Sequence, residues 1–147
     1  NGLIGDEESR NGYLSALKGR DGLSSPSVPA LVAHIAAYRD GAPWLDALRD
    51  YLQANMRYVA DTLNNAFPAL CWQPPEATYL AWIDLRPLNI DDRALQQALI
   101  AGQKVAIMPG YTYGPEGNGF LRLNVGCPRE KLERGVAGLI AALRSLS

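Results

Sequence analysis

The chain has 147 residues, 48% of them hydrophobic and 20% charged, with a formal net charge of −1. This is the composition of an ordinary globular protein long enough to bury a core. It argues against a nucleic-acid surface, which needs concentrated positive charge, and no apolar run reaches the roughly 20 residues of a membrane helix.

Cys71 and Cys127 lack a metal-type spacing, and no signal peptide opens the chain. A reduced, cytoplasmic protein is the simplest reading. The chain begins Asn-Gly rather than Met, as expected of a piece of something longer.

In chain order, Gly2 to Gly5 is an apolar scrap, read as the last strand of a sheet lying elsewhere. Asp6 to Ser9 are cap-type residues ahead of a helix of roughly Arg10 to Leu17, with Tyr13, Leu14 and Leu17 on one face. A polar loop then feeds a helix from Val28-Pro29, with proline suited to the first turn. Leu31, Val32, Ile35 and Ala36 recur in it at helical spacing. His34 sits in this pattern and is read as structural. Leu45, Leu48, Leu52, Met56, Val59 and Leu63 step by 3, 4, 4, 3 and 4. They predict an amphipathic helix of about six turns, with a core stripe.

Phe67-Pro68 ends it. Leu70 to Gln73 and Thr78 to Leu85 are predicted as a hairpin across the Pro74-Pro75 turn. In the second strand Tyr79, Ala81, Ile83 and Leu85 share one face, and Thr78, Leu80, Trp82 and Asp84 the other. Asp91 and Asp92 cap a helix to Ala101, which Gly102 closes. Lys104 to Met108 is a short strand. Pro128 opens a last helix with Leu132, Val136, Leu139, Ile140 and Leu143 as its stripe. Helices over one face of a small, mostly antiparallel sheet make an α+β fold.

Met108 to Arg129 is the stretch that points to function. It holds five glycines and a strand, Phe120 to Val125. Alternation sends Leu121, Leu123 and Val125 to a core, and Phe120, Arg122 and Asn124 outward. A guanidinium matches a carboxylate through two parallel hydrogen bonds, so Arg122 marks a wall for an anionic small molecule. The bland alternative is an ion pair with a neighbouring acid. Tyr111 and Tyr113, in the glycine loop, are read as packing residues. No HExxH, P-loop or metal cluster occurs. Lys18, Lys104 and Lys131 lack the desolvated or cationic surroundings of a Schiff-base lysine.

Glu76–Asp84 (EATYLAWID), Val105–Gly110 (VAIMPG) and Gly119–Asn124 (GFLRLN) together resemble the C-terminal part of fold-type I pyridoxal-phosphate (PLP) enzymes. Within these, the chain is similar to the class I/II aminotransferase-like C–S lyases over essentially its whole length. Ala16–Ser27, Arg86–Asp92 and Pro109–Gly114 resemble the bifunctional cystathionine β-lyases that also repress the maltose regulon.

The resemblance implies a homodimeric parent with PLP held by a lysine of its large domain, before Asn1. Residues 1–25 would end that domain, 26–66 would form connecting helices, and 67–147 the small C-terminal domain. Arg122 would grip the α-carboxylate of an amino-acid substrate. Cleavage of cystathionine-type substrates would give a thiol, pyruvate and ammonia. Tyr79, Asn124, Ser24, Ser25 and Arg20 are candidate pocket-lining residues, set against a core role for Tyr79 and a solvated helix end for Arg20. No metal and no certain cofactor ligand is expected in this chain. Beyond its substrate, the implied partner is the maltose transcriptional activator, bound without DNA. A transaminase, a non-catalytic protein-binding regulator and a free-standing α+β module stand as alternatives.

Overall fold

The computed structural model describes residues 5–22 and 26–146. The expected strand end at Gly2 to Gly5 therefore lies, apart from Gly5, outside the described residues. The chain forms two compact units, residues 1–46 and 47–147.

In the first unit, α1 spans Glu7–Ser15. The Asp6 carboxylate caps it by accepting from the Ser9 N–H at 2.7 Å. The helix thus begins at Glu7, ahead of the expected Arg10, because Asp6 satisfies the first free donors. A π-helical turn, Ala16–Arg20, continues it. Helix α2 spans Val28–Asp40, with Pro29 in its first turn and the Ser27 hydroxyl accepting from Ala30 N–H. Neither helix buries a residue. Val28, Leu31, Val32, Ile35 and Tyr38 of α2 are all exposed.

Helix α3, Ala42–Ala66, has 25 residues, about seven turns. The predicted stripe is divided along its length. Leu45 is exposed, whereas Met56, Val59 and Leu63 are buried.

The second unit contains a three-stranded antiparallel sheet ordered β1-β3-β2. Strand β1 is Leu80–Asp84, β2 is Met108–Pro109 and β3 is Phe120–Asn124. Alternation works as read. Ala81, Ile83 and Leu85 of the first segment, with Leu121, Leu123 and Val125 of the second, point into the core. There they join α3, Leu95 and Leu99 of the helical segment after Asp91, and the stripe of α5, Arg129–Arg144. Leu132, Val136, Leu139 and Leu143 of α5 are buried, and Ile140 is half-buried. Buried Asn55 ties α3 to the exit of β3, its amide donating to the carbonyls of Val125 (2.8 Å) and Cys127 (3.2 Å).

The predicted hairpin does not form. β1 pairs with β3 instead, Trp82 facing Arg122 and Ile83 facing Leu121. Residues Pro68–Leu70 make a 3-10 turn, and Cys71 takes a left-handed φ of 44°. One side chain holds the backbone at Trp72, and the Trp72 ring takes an acceptor of β1. Asn64 both donates to the Trp72 carbonyl and accepts from its N–H. The Trp72 indole N–H donates to the Trp82 carbonyl at 2.8 Å.

Three smaller corrections follow the same logic. Thr78 has φ 74°, so Tyr79 falls outside the alternation and is exposed. Helix α4, Asp92–Gln97, passes into a π-helical stretch, Ala98–Gln103. It stops at Lys104, left-handed at φ 54°, and not at Gly102. The short strand begins only at Met108, since residues 104–107 are not paired as strand.

Candidate functional site

The outward face of the sheet carries one cross-strand row. Trp82 of β1 and Met108 of β2 both stand opposite Arg122 of β3. Directly opposite residues share a face, so an aromatic ring, a guanidinium and a thioether lie side by side. Trp82 and Met108 are exposed, and Arg122 is half-buried. The Trp82 ring stacks on Phe120 at 5.6 Å and meets Tyr113 edge-on at 5.7 Å.

Arg122 has no acidic partner among the described residues. Its guanidinium carbon instead lies 4.7 Å from the centre of the Tyr113 ring, within cation–π range. Tyr113 closes the 3-10 turn Gly110–Tyr113. The Thr112 hydroxyl fixes that turn by donating to the Pro109 carbonyl at 2.7 Å. Gly110 and Gly117 pass so close that a side chain on either would strike the other's carbonyl. That apposition explains two of the five glycines.

A second arginine on this side is arranged differently. Arg86 lies 4.6 Å over Phe120, but its fork is occupied by Asp84, at 2.8 Å and 2.6 Å. The side-chain hydrogen bond from Arg86 holds the Asp84 carboxyl below its ordinary range, and Asp84 raises Arg86 in turn.

Arg122 and Met108 open into a cleft of about 650 Å³ between the segment at 103–108, β3 and the first turns of α5. Lys104, Arg122, Lys131 and Arg134 line it, with no acidic side chain among the described lining residues. Such a cleft attracts anions.

The remaining sequence candidates are placed as follows. Asn124 lines the same cleft, with its side-chain oxygen accepting from Gly126 N–H at 2.8 Å. Tyr79 does not line it; it faces a separate groove with Arg49, Gln53 and Arg57. Arg20 belongs to the first unit, where it pairs with Asp21 at 3.0 Å. Ser24 and Ser25 lie outside the described residues. His34 is exposed on α2 and packs against Tyr38.

Sequence reading put Trp82 on the correct face without assigning it to the site, and took Tyr113 as packing. The available signal was a tryptophan on the outward side of an alternating strand, beside a tyrosine in a glycine-constrained loop.

The chain belongs to the class I and II aminotransferase family, whose model matches residues 8–139. Within that class it is 72% identical to Protein MalY of Escherichia coli strain K12, over 99% of this chain and 37% of that protein. It is 38% identical to the cystathionine β-lyase PatB of Bacillus subtilis strain 168, over 96% of this chain and 36% of that protein. A solved PLP-bound C–S lyase from Staphylococcus hominis superposes with a TM-score of 0.81 at 31% identity, covering 95% of this chain and 35% of that one. The chain therefore spans a little over a third of the length of these relatives.

A Schiff-base lysine needs a desolvated amine, and Lys18, Lys104 and Lys131 are all exposed. Among the described residues no helix is long and apolar enough to cross a membrane.

Proposed function

We propose that this chain is the C-terminal part of a PLP-dependent C–S β-lyase and supplies its grip on the substrate carboxylate. The observation that carries this reading is Arg122: outward-facing on the central strand, without an acidic partner among the described residues, in a cleft lined by cations. Two parallel hydrogen bonds from the guanidinium would hold the α-carboxylate in one plane. Fixing that plane fixes the orientation of the Cα–H bond, which is how a positioning group lowers a barrier. PLP, held by parts of the parent outside this chain, supplies the electron sink when bound. Tyr79, Asn124, Ser24, Ser25 and Arg20 remain proposed pocket-lining residues, with Asn124 the one that shares Arg122's cleft.

Residues 1–25 would complete the large domain, 26–66 would connect, and 67–147 would form the small domain. The uncovered apolar residues of α2 support this, because a stripe of that kind has its partner elsewhere in the parent or in the second subunit of a homodimer. The 72% identity to MalY supports a second role, cytoplasmic restraint of the maltose transcriptional activator by direct contact.

One experiment tests the catalytic reading. Full-length parent, given cystathionine and no keto acid, should release pyruvate and ammonia in equal amounts; a transaminase would release neither. Arg122→Ala should cost about 2–5 kcal/mol in kcat/KM, since it leaves a desolvated carboxylate unpaired. Near-normal kcat/KM in that variant would remove Arg122 from its role.

A further inference from the structure

We propose that Tyr113 is a positioning residue for Arg122, holding the guanidinium by its face so that its hydrogen-bonding edge stays open for the substrate carboxylate. The inference rests on the carboxylate-binding reading of Arg122 and adds to it the residue that makes the grip rigid.

The physical problem is specific. A guanidinium offers five donors, and bidentate capture of a carboxylate takes two on one edge. An acidic neighbour would immobilise the group but occupy that edge. Asp84 does this to Arg86 on the same side of the sheet. An aromatic ring attracts the cation through its face and leaves every edge donor available. Tyr113 stands in that place, 4.7 Å from the Arg122 guanidinium carbon.

The ring is itself held. Trp82 meets it edge-on, with ring planes at 74°, and is stacked in turn on Phe120 with planes at 20°. Trp82 is also the β1 residue opposite Arg122 in the sheet register. From the other side, the backbone of the Gly110–Tyr113 turn is fixed by the Thr112 hydroxyl and by the Gly110–Gly117 apposition. Sheet and loop therefore converge on one ring. A cation held before the ligand arrives loses less rotamer freedom on binding.

The test uses the full-length holoenzyme, with two readouts. The first is the dissociation constant of propionate, a bare carboxylate, measured by calorimetry against propionamide as the neutral control. The second is kcat and KM for an S-alkyl cysteine. Tyr113→Leu should weaken propionate binding and raise KM roughly five- to thirtyfold, the range of a partly to fully desolvated cation–π contact, with a smaller effect on kcat. Tyr113→Phe and Tyr113→Trp keep a π face and should stay within about twofold of wild type in propionate binding.

Propionate binding unchanged in Tyr113→Leu would overturn the inference. So would equal damage in Tyr113→Phe, which would assign the effect to the hydroxyl. Arg122→Gln separates the two levels. If it abolishes propionate binding while Tyr113→Leu leaves it intact, only the positioning role fails. If it leaves propionate binding intact, the carboxylate reading itself fails.

Discussion

Two arginines on one side of the sheet show how neighbours set what a cation can do. Arg86 is paired with Asp84, and Arg122 rests on a ring. The pairing depresses the folded-state pKa of Asp84, chiefly through the Arg86 hydrogen bond. A depressed carboxylate stabilises the fold above its ordinary value, about 3.9, and that contribution is lost as pH falls through the lower folded value. The pair lies near the surface, with its side chains 63% and 34% exposed, so the effect is modest. Asp84→Asn should therefore lower the thermal midpoint at neutral pH, with the gap to wild type closing below about pH 4. Melting curves from neutral to acid pH check this; a gap that widens in acid would contradict the assignment. At this scale the sequence was informative about Arg122, because strand alternation alone puts it opposite Leu121 and Leu123. Its partner was not legible, since Tyr113 is nine residues away across a turn whose path no periodicity describes.

At the scale of elements, what was read well is what local pattern determines. The α5 stripe, the Met56–Leu63 part of the α3 stripe and the faces of β1 and β3 follow from period and cap chemistry, whereas Leu45 of the predicted α3 stripe is exposed. What was missed depends on long-range contacts. The hairpin failed because the Asn64 side chain satisfies the Trp72 backbone and the Trp72 indole takes the Trp82 carbonyl, leaving β1 to pair with β3. Asn55 plays a comparable part at the other end of β3. Its amide is the hydrogen-bond donor for the buried Val125 carbonyl, and it shares the Cys127 carbonyl with the Tyr51 hydroxyl. Asn55→Ala strands the Val125 carbonyl, while Cys127 keeps the Tyr51 hydroxyl, and a loss of about 1–3 kcal/mol is expected. Denaturant unfolding measures it directly. A cost below about 0.5 kcal/mol would mean that water replaces the amide without penalty.

At the scale of the molecule, the chain spans a little over a third of relatives that include a cystathionine β-lyase and a PLP-bound C–S lyase. The family was legible because the EATYLAWID, VAIMPG and GFLRLN segments carry its pattern, and Trp82, Met108 and Arg122 from these segments form one cross-strand row. The rest of the proposed site was not, because its remaining walls and its cofactor anchor are assigned to parts of the parent outside these residues. The proposed function is a division of labour in which Arg122 and its aromatic support grip the substrate and the cofactor-bearing lysine lies elsewhere in the parent. The measurement that tests it most directly is a PLP titration of this chain alone, followed by borohydride reduction and intact mass. No stoichiometric adduct is expected. A single saturable adduct on Lys18, Lys104 or Lys131 would contradict it and place the cofactor anchor within this chain.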